Sequence, residues 1–184
     1  FYDIVGLQEV LPHQVKDIAD RLPWMSHLGV GREEDAAGEA CPIFYDHNKW
    51  ELLHHETLWL APDWKTPGAV GWDADLPRIV TIGLFHQVSS GKRVRVYNTH
   101  WSHVSSTARE ASAQLIASLD AQHGTDATAV LGDFNEEAEA RGRVVLDEAG
   151  FSDTYNNVRS RCRNSFPTYT LSLIHISEPT RQIR

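Results

Sequence analysis

The sequence lacks any continuous apolar run of about 18 residues, the length that a membrane-crossing helix needs. It also lacks a basic surplus, because its 25 acidic residues outnumber its 17 lysines and arginines and give a formal net charge of −8. Proteins that bind long duplex nucleic acid usually present a basic face. The composition therefore predicts no membrane span and argues mildly against long nucleic acid as a partner.

Cysteine is scarce as well. Cys41 and Cys162 can form neither a disulfide framework nor a zinc pattern. No signal peptide is recognisable, but the chain opens without Met, inside the apolar run of residues 1–7. We therefore expect the native N-terminus to be missing, and the compartment, cytoplasmic or secreted, stays open. The remaining composition, with 184 residues, 41% apolar and 23% charged, is ordinary for one folded domain.

Apolar residues at helical spacing predict three helices. These cover residues 11–22, 105–122 and 138–149, with Ser105 or Ser106 as the N-cap of the second and Gly150 as the stop signal of the third. Runs rich in β-branched and aromatic residues predict strands. The strands are expected over residues 2–7, 42–46, 50–54, 58–60, 78–85, 93–99 and 127–131, and long loops over residues 29–40 and 61–77. This order predicts an α/β fold with mostly antiparallel sheets and helices packed outside.

Three polar clusters each follow a predicted strand: Gln8-Glu9, residues 98–100 (Asn-Thr-His) and residues 132–135 (Gly-Asp-Phe-Asn). Strand ends at one sheet edge are where α/β folds gather their sites. The residue types suit hydrolysis of a phosphoester. That chemistry needs a hard cation on carboxylate oxygen, a group that orients a water, and hydrogen-bond donors for the phosphate oxygens.

Each candidate also has a plainer interpretation. Glu9 is the best candidate for a metal ligand, but it could be a solvated carboxylate at a strand end. Asp133 and Asn135 are two residues apart, so their side chains point the same way in extended backbone; they could equally form a local turn. His100 could donate a hydrogen bond to a phosphate oxygen, or it could be a core histidine with a satisfied ring.

The three clusters together resemble a known family. They closely resemble the endonuclease/exonuclease/phosphatase superfamily, and the resemblance covers about residues 2–170. It is carried by three segments in this order: residues 6–10 (Gly-Leu-Gln-Glu-Val), 97–101 (Tyr-Asn-Thr-His-Trp) and 131–135 (Leu-Gly-Asp-Phe-Asn). Residues 71–78 resemble a loop and strand start of a bacterial branch that is similar to the deadenylase-like phosphatases. The resemblance implies a four-layer α/β/β/α sandwich of the DNase I-like type.

The resemblance also implies roles for single residues. Glu9 would hold the divalent metal, which would be Mg²⁺ or Mn²⁺. His100 would contact the phosphate, and Asp133 and Asn135 would position the water and the phosphate.

Three further residues are candidates for substrate binding: Arg78, Asn98 and Trp72. Arginine suits a phosphate, although Arg78 could be a charge at a strand edge. Asn98 would mainly orient its neighbours. The plain interpretation of Trp72 is packing, and the same holds for His103, which could also line the cleft.

The resulting functional prediction is a divalent-metal-dependent phosphoesterase, acting as a monomer on a phosphorylated small molecule or nucleotide. Two alternatives stay open. One is an endonuclease or exonuclease, for which nucleic acid would be the substrate. The other is a non-catalytic binding module that has kept the fold.

Parts of the family pattern are missing from the sequence. The pattern has an Asn on a strand before the Gln-Glu strand and an Asp-His pair near the C-terminus, and residues 166–170 resemble only the approach to that pair. Residues 171–181 resemble a translated sequencing adapter. We therefore expect residues 1–170 to be a partial domain and residues 171–184 a non-native tail. We also expect the chain itself to show little or no turnover and the intact parent to be active.

Overall fold

A computed structural model of the chain describes residues 2–123, 125–137 and 139–154. Within these ranges the chain forms two sheets and three helices. The first sheet has the strand order β1-β3-β2, and the second has the order β4-β5-β6-β7. The strands are β1 (Ile4–Gly6), β2 (Met25–Leu28), β3 (Ile43–Asp46), β4 (Trp50–Trp59), β5 (Ile79–Gln87), β6 (Arg93–His100) and β7 (Ala127–Asp133), and the helices are α1 (Pro12–Arg21), α2 (Ser106–Ala121) and α3 (Arg141–Glu148).

The sheets are mainly antiparallel, as the sequence predicted. In the first sheet β3 pairs antiparallel with both neighbours, and in the second β4, β5 and β6 form an antiparallel meander. Strand β7 differs, because it runs parallel to β6 after the crossover through α2. This parallel pair carries the carboxyl ends of β6 and β7 to the same edge of the sheet.

The two sheets pack face to face. Their shared core contains Leu28, Ile43, Tyr45, Phe85 and Val96. A second core lies between the other face of the four-stranded sheet and the helices α2 and α3, and it is built around Tyr97, Trp101, Ile116, Phe134 and Leu146. Helix α1 contacts β2 of the first sheet. The layers therefore follow the predicted α/β/β/α sandwich.

The alternation of side chains along β6 explains where its polar residues point. Val94 and Val96 belong to the core between the sheets, whereas Tyr97 belongs to the core under the helices. Because successive strand residues face opposite sides, Asn98 and His100 share the face of Val96, between the two sheets. Buried apolar residues thus fix the direction of the polar ones.

Several predicted elements need correction. Residues 50–54 and 58–60 are not separate strands but parts of β4, which contains a register shift between Leu52 and His54. Strand β2 was not predicted, because its four residues include Ser26 and His27 and show no clear apolar run. The third helix begins at Arg141, later than predicted. The first two helices and the hairpin of β5 and β6 are confirmed.

The helices in the described ranges are too short or too polar to cross a bilayer, the longest being α2 with 16 residues. The predictions for Cys162, for residues 166–170 and for the tail at 171–184 lie outside the described residues. The single cysteine within them, Cys41, is buried and free, and burial raises the pKa of its thiol to about 12.

Candidate active site

The three polar clusters meet at one edge of the sandwich. His100 ends β6 and is in direct register with Asp133, which ends β7. From the opposite sheet, the segment after β1 brings in Glu9. Nδ1 of His100 lies 4.0 Å from Oε1 of Glu9, and Nε2 lies 3.9 Å from Oδ2 of Asp133. The imidazole ring therefore lies between two carboxylates that come from different sheets.

His100 is a neutral ring in this position. Its side chain is buried, and burial, followed by the positive charges of Arg78 and Arg32, lowers its pKa to about 3. The two carboxylates lie at the outer limit of ion-pair distance and do not offset the burial. A neutral imidazole offers one N–H donor and one acceptor nitrogen, so His100 can donate a single hydrogen bond into the cleft.

Asp133 and Asn135 form a local turn and also face the site. Oδ1 of Asp133 accepts the backbone N–H of Asn135 at 2.9 Å, which is the turn that was the plainer interpretation of this motif. Nδ2 of Asn135 donates to the carbonyl oxygen of Trp101 at 3.0 Å. Oδ2 of Asp133 stays outside the turn, toward His100. The turn thus orients the pair without using all of its polar atoms.

The backbone at the site is held in a conformation that L-residues rarely adopt. Glu9 has a φ of 58° and Asn135 a φ of 49°. Gly132, with a φ of 151°, leaves no room for a Cβ because the carbonyl of Thr99 occupies that space. Left-handed non-glycine residues cost on the order of 1 kcal/mol or more and cluster at functional sites. The positions of Glu9 and Asn135 therefore fit a site held in shape by its surroundings.

Asn98 ties the two sheets together beneath the site. Its side chain has no exposed surface, and Nδ2 donates to the carbonyls of Leu7 and Pro42 at 2.8 and 2.9 Å. Its Oδ1 accepts Nε2 of Gln8 at 2.7 Å. This supports the orienting role that the sequence suggested. Direct contact with a substrate, the other part of the expectation, does not fit a side chain without exposed surface.

Arg78 lies in the wall of the site. It is 5% exposed, and its Nη2 donates to Nδ1 of His103 at 2.8 Å. Because arginine can only donate, Nδ1 of His103 is the acceptor and its proton sits on Nε2, which lies 3.6 Å from Oδ2 of Asp75. The guanidinium of Arg78 is thus oriented by a histidine that is oriented by a carboxylate. The prediction that Arg78 is near the phosphate site fits this position.

Trp72 lies in a packing position, which was the plainer of the two interpretations of this residue. Its ring is partly buried and packs against the core beneath α2 and α3. The residue has a φ of 54°, and its carbonyl oxygen accepts Oγ of Ser105, the N-cap of α2, at 3.0 Å. These contacts give Trp72 a structural role at the start of the helix.

A buried ion pair between Glu136 and Arg109 links the loops of the site. The sequence did not reveal this pair. Oε1 of Glu136 accepts Nε of Arg109 at 3.0 Å, and its Oε2 accepts the backbone N–H of Arg143 at 3.2 Å. Arg109 also donates to the carbonyl of Ser102 at 2.8 Å. Burial raises the pKa of Glu136, and the neighbouring Arg109 acts against that shift. The network joins the loop after β6 to the loop after β7.

The donors present fit a hydrated Mg²⁺ better than a metal held entirely by protein. Among the described residues, no group of three or more His, Cys, Asp or Glu side chains is placed to hold a metal ion. Glu9 nevertheless presents a carboxylate that is 67% exposed at the mouth of the site. Mg²⁺ usually keeps several waters and binds one or two carboxylates together with substrate phosphate. Glu9 fits that pattern.

Comparison with known proteins gave matches among solved structures, whereas no family model and no curated protein matches the chain. An endonuclease/exonuclease/phosphatase from Bacteroides vulgatus is 37% identical, with a TM-score of 0.82 over 85% of this chain and 62% of that one. A mannosyl-6-phosphatase from Bacteroides thetaiotaomicron is 28% identical, with a TM-score of 0.86 over 99% and 70%.

A more distant match is TDP2 from D. rerio, complexed with a single-strand DNA product, at 16% identity and a TM-score of 0.71 over 98% of this chain and 69% of that one. At this identity the likeness shows the fold alone. The chain spans less than two thirds of the Bacteroides vulgatus protein. The motifs, the sandwich and these Bacteroides structures agree, and together they support the endonuclease/exonuclease/phosphatase superfamily for this chain.

Proposed function

We propose that the protein of which this chain forms part hydrolyses phosphate ester bonds by attack of water on phosphorus, with Mg²⁺ or Mn²⁺ as its cofactor. The observation that carries the proposal is the ring of His100 lying between Glu9 and Asp133, with Asn135 in contact with Asp133. The names of the Bacteroides relatives, one of them a mannosyl-6-phosphatase, support phosphoester chemistry.

Asp133 is the group that would act on the water. Its Oδ1 is engaged by the backbone N–H of Asn135, so Oδ2 is the oxygen free to accept a hydrogen bond from the attacking water. A carboxylate fixed in this way orients the water and can take its proton, a contribution of roughly 10²- to 10⁴-fold in rate.

His100 and Asn135 would hold the phosphate oxygens. The neutral ring of His100 has one N–H to donate, and the amide of Asn135 has a second N–H beyond the one given to Trp101. Donors that are already oriented stabilise charge that develops on the phosphate during the reaction. Both side chains are anchored on the same edge as Asp133, so they need little rearrangement.

Glu9 would hold the cation. A bound divalent ion would polarise the phosphate and neutralise developing negative charge. The carboxylate of Glu9 supplies an oxygen ligand of the type that Mg²⁺ and Mn²⁺ prefer. Its exposure leaves room for water and substrate oxygens beside it.

Hydrolysis of nucleic acid is the second candidate. It is favoured by the fold shared with TDP2, whose structure holds a single-strand DNA product. The net charge of −8 speaks against a long polyanionic substrate, because affinity for nucleic acid rests largely on basic contacts with phosphate. The third reading, a binding module without catalysis, would show phosphate binding without turnover.

The test is an assay of the complete reading frame that contains this chain. Sugar phosphates, nucleotides and oligonucleotides would be offered with Mg²⁺, with Mn²⁺ and with EDTA. We expect metal-dependent release of phosphate, a loss of about 100-fold or more in Asp133→Asn, and little change in Asp20→Asn, an exposed carboxylate of α1. Full activity in EDTA, or an active Asp133→Asn protein, would overturn the proposal.

A further inference from the structure

We propose that Arg32 and Arg78 form a paired anchor for the terminal, doubly charged phosphate of a phosphomonoester, so that the site discriminates against phosphodiesters. The inference rests on the proposed function and goes beyond it, because it names the substrate class and assigns Arg32 as a residue that determines specificity. Arg32 lies in the polar loop between β2 and β3, where nothing in the sequence distinguished it.

The two arginines share one cavity. They line it together with Glu9 and His100, and its volume is about 10 Å³. A space of this size takes a single water molecule or one oxygen atom. Its walls include buried Cys41 and Ile79. A phosphate at the mouth could therefore insert one oxygen, whereas an esterified oxygen with its substituent would not fit.

In each guanidinium group one nitrogen is paired and another has no hydrogen-bond partner among the described residues. Nη1 of Arg32 pairs with Oε2 of Glu39 at 2.7 Å, and Nη2 of Arg78 donates to Nδ1 of His103 at 2.8 Å. The Nε atoms of both arginines are buried and have no hydrogen-bond partner in the part of the chain that the structure describes, although Nε of Arg32 lies 3.6 Å from Oε1 of Glu33. Buried donors in native proteins are nearly always satisfied. An anionic oxygen in the cavity would satisfy them.

The charges around this cavity also favour an anion. Arg32 is near enough to Arg78 to act with burial in lowering the pKa of Arg78, and both arginines lower the pKa of His100. Glu39 and the more exposed Glu33 balance Arg32 in part, and Asp75 acts in the opposite direction on Arg78. The buried guanidinium of Arg78 and the largely buried one of Arg32 lie beside a neutral histidine, and in a chain with a net charge of −8 they make this a local site for an anion.

The number of donors matches a terminal phosphate. A phosphomonoester at neutral pH carries about −1.5 to −2 charges and three free oxygens, whereas a diester carries one charge and two free oxygens. One oxygen would lie against the arginine pair, and the others would face His100 and Asn135. A diester would leave one of these positions without an oxygen and would offer the two arginines one charge instead of about 1.5 to 2.

The binding test uses the 184-residue chain with inorganic phosphate and with dimethyl phosphate, a singly charged diester, measured by calorimetry. We expect Arg32→Gln to weaken phosphate binding roughly 10- to 100-fold and to change dimethyl phosphate binding much less. Arg32→Lys, which keeps the charge and loses the fork, should be intermediate. Arg21→Gln, an exposed arginine of α1, is the matched control. Unchanged phosphate binding in a folded Arg32→Gln protein would overturn the proposal.

The kinetic test uses the complete reading frame with p-nitrophenyl phosphate and bis(p-nitrophenyl) phosphate. The anchor predicts that kcat/KM for the monoester exceeds that for the diester, and that Arg32→Gln removes most of the difference. A parent that prefers the diester, or an equal loss on both esters, would overturn the anchor while the proposed hydrolysis stands. If neither ester is hydrolysed, the proposed function fails, and the binding test still decides the anchor.

Discussion

Nε2 of His100 lies 3.9 Å from Oδ2 of Asp133, on two neighbouring strands that run parallel and hold these residues in direct register. The contact depends on the crossover through α2, which turns β7 to the same direction as β6 and brings both carboxyl ends to one edge. Glu9 reaches the other side of the ring from the opposite sheet. The site therefore lies where the two sheets meet, and its geometry depends on how these sheets pack.

Gly6 is placed where β1 passes closest to Asn98. A Cβ at this position would lie 2.6 Å from Oδ1 of Asn98, although the backbone of Gly6 is not left-handed. We expect Gly6→Ala to destabilise the fold by about 1–3 kcal/mol, measured by urea denaturation. In an Asn98→Ala background the same change should cost clearly less. Equal costs in both backgrounds would show that the clash with Asn98 is not the cause.

Asn98→Asp tests the amide that joins the sheets. Nδ2 donates to the carbonyls of Leu7 and Pro42, and an aspartate would put an acceptor against both of them. We expect a loss of about 3 kcal/mol or more in the free energy of unfolding. Asn48→Asp is the control: it also places a carboxylate opposite an acceptor, Oδ1 of Asp46, but at the exposed turn before β4, where solvent screening should keep the cost below about 1 kcal/mol. A variant at Asn98 as stable as this control would contradict the role.

The buried His100 predicts a pH dependence of stability. Its pKa is about 3 in the folded chain, against an ordinary value near 6.5, so between these values the unfolded chain binds a proton that the folded chain does not. The free energy of unfolding should fall as pH drops below about 6.5, by up to about 1.4 kcal/mol per pH unit from this group. Above pH 7 the effect should vanish.

The contribution of this one histidine is isolated by substitution. His100→Asn should flatten the fall in stability between pH 6 and pH 4, measured by denaturation in EDTA. His13→Asn, an exposed histidine of α1, should leave the slope as it is. If both variants keep the parental slope, His100 does not carry the effect.

Glu136 is expected to matter for stability because Arg109 and the start of α3 depend on it. Glu136→Ala leaves the guanidinium of Arg109 without its carboxylate in a largely buried position. Removal of one partner of a buried ion pair costs about 3–5 kcal/mol, which a thermal melt would show. Glu137→Ala changes an exposed neighbour and should stay within about 0.5 kcal/mol. Similar melting temperatures for the two variants would contradict the bracing role.

The sequence was informative where local chemistry decides the structure. Apolar spacing located α1 and α2, and β-branched runs located the hairpin of β5 and β6. The site residues Glu9, His100, Asp133 and Asn135 followed from strand ends and from motif resemblance. The structure brings the first three together around the ring of His100, with Asn135 joined to Asp133 by a hydrogen bond.

The features that the sequence did not predict depend on tertiary packing. Strand β2 exists because β3 offers it an antiparallel partner, and its own residues carry little strand pattern. Arg32 and Glu136 are ordinary charges in the sequence, and only their positions in the fold distinguish them. The left-handed backbone of Glu9, with a φ of 58°, has no sequence signal either.

The convergence of positions 9, 100, 133 and 135 on one cation and phosphate pocket can be measured directly on the 184-residue chain. Substoichiometric Mn²⁺, added with inorganic phosphate, broadens NMR signals of backbone amides close to the bound ion. We predict selective broadening at these four positions, lost in Glu9→Gln and kept in Glu51→Gln, an exposed carboxylate of β4. Broadening centred elsewhere, or unchanged by Glu9→Gln, would contradict the account.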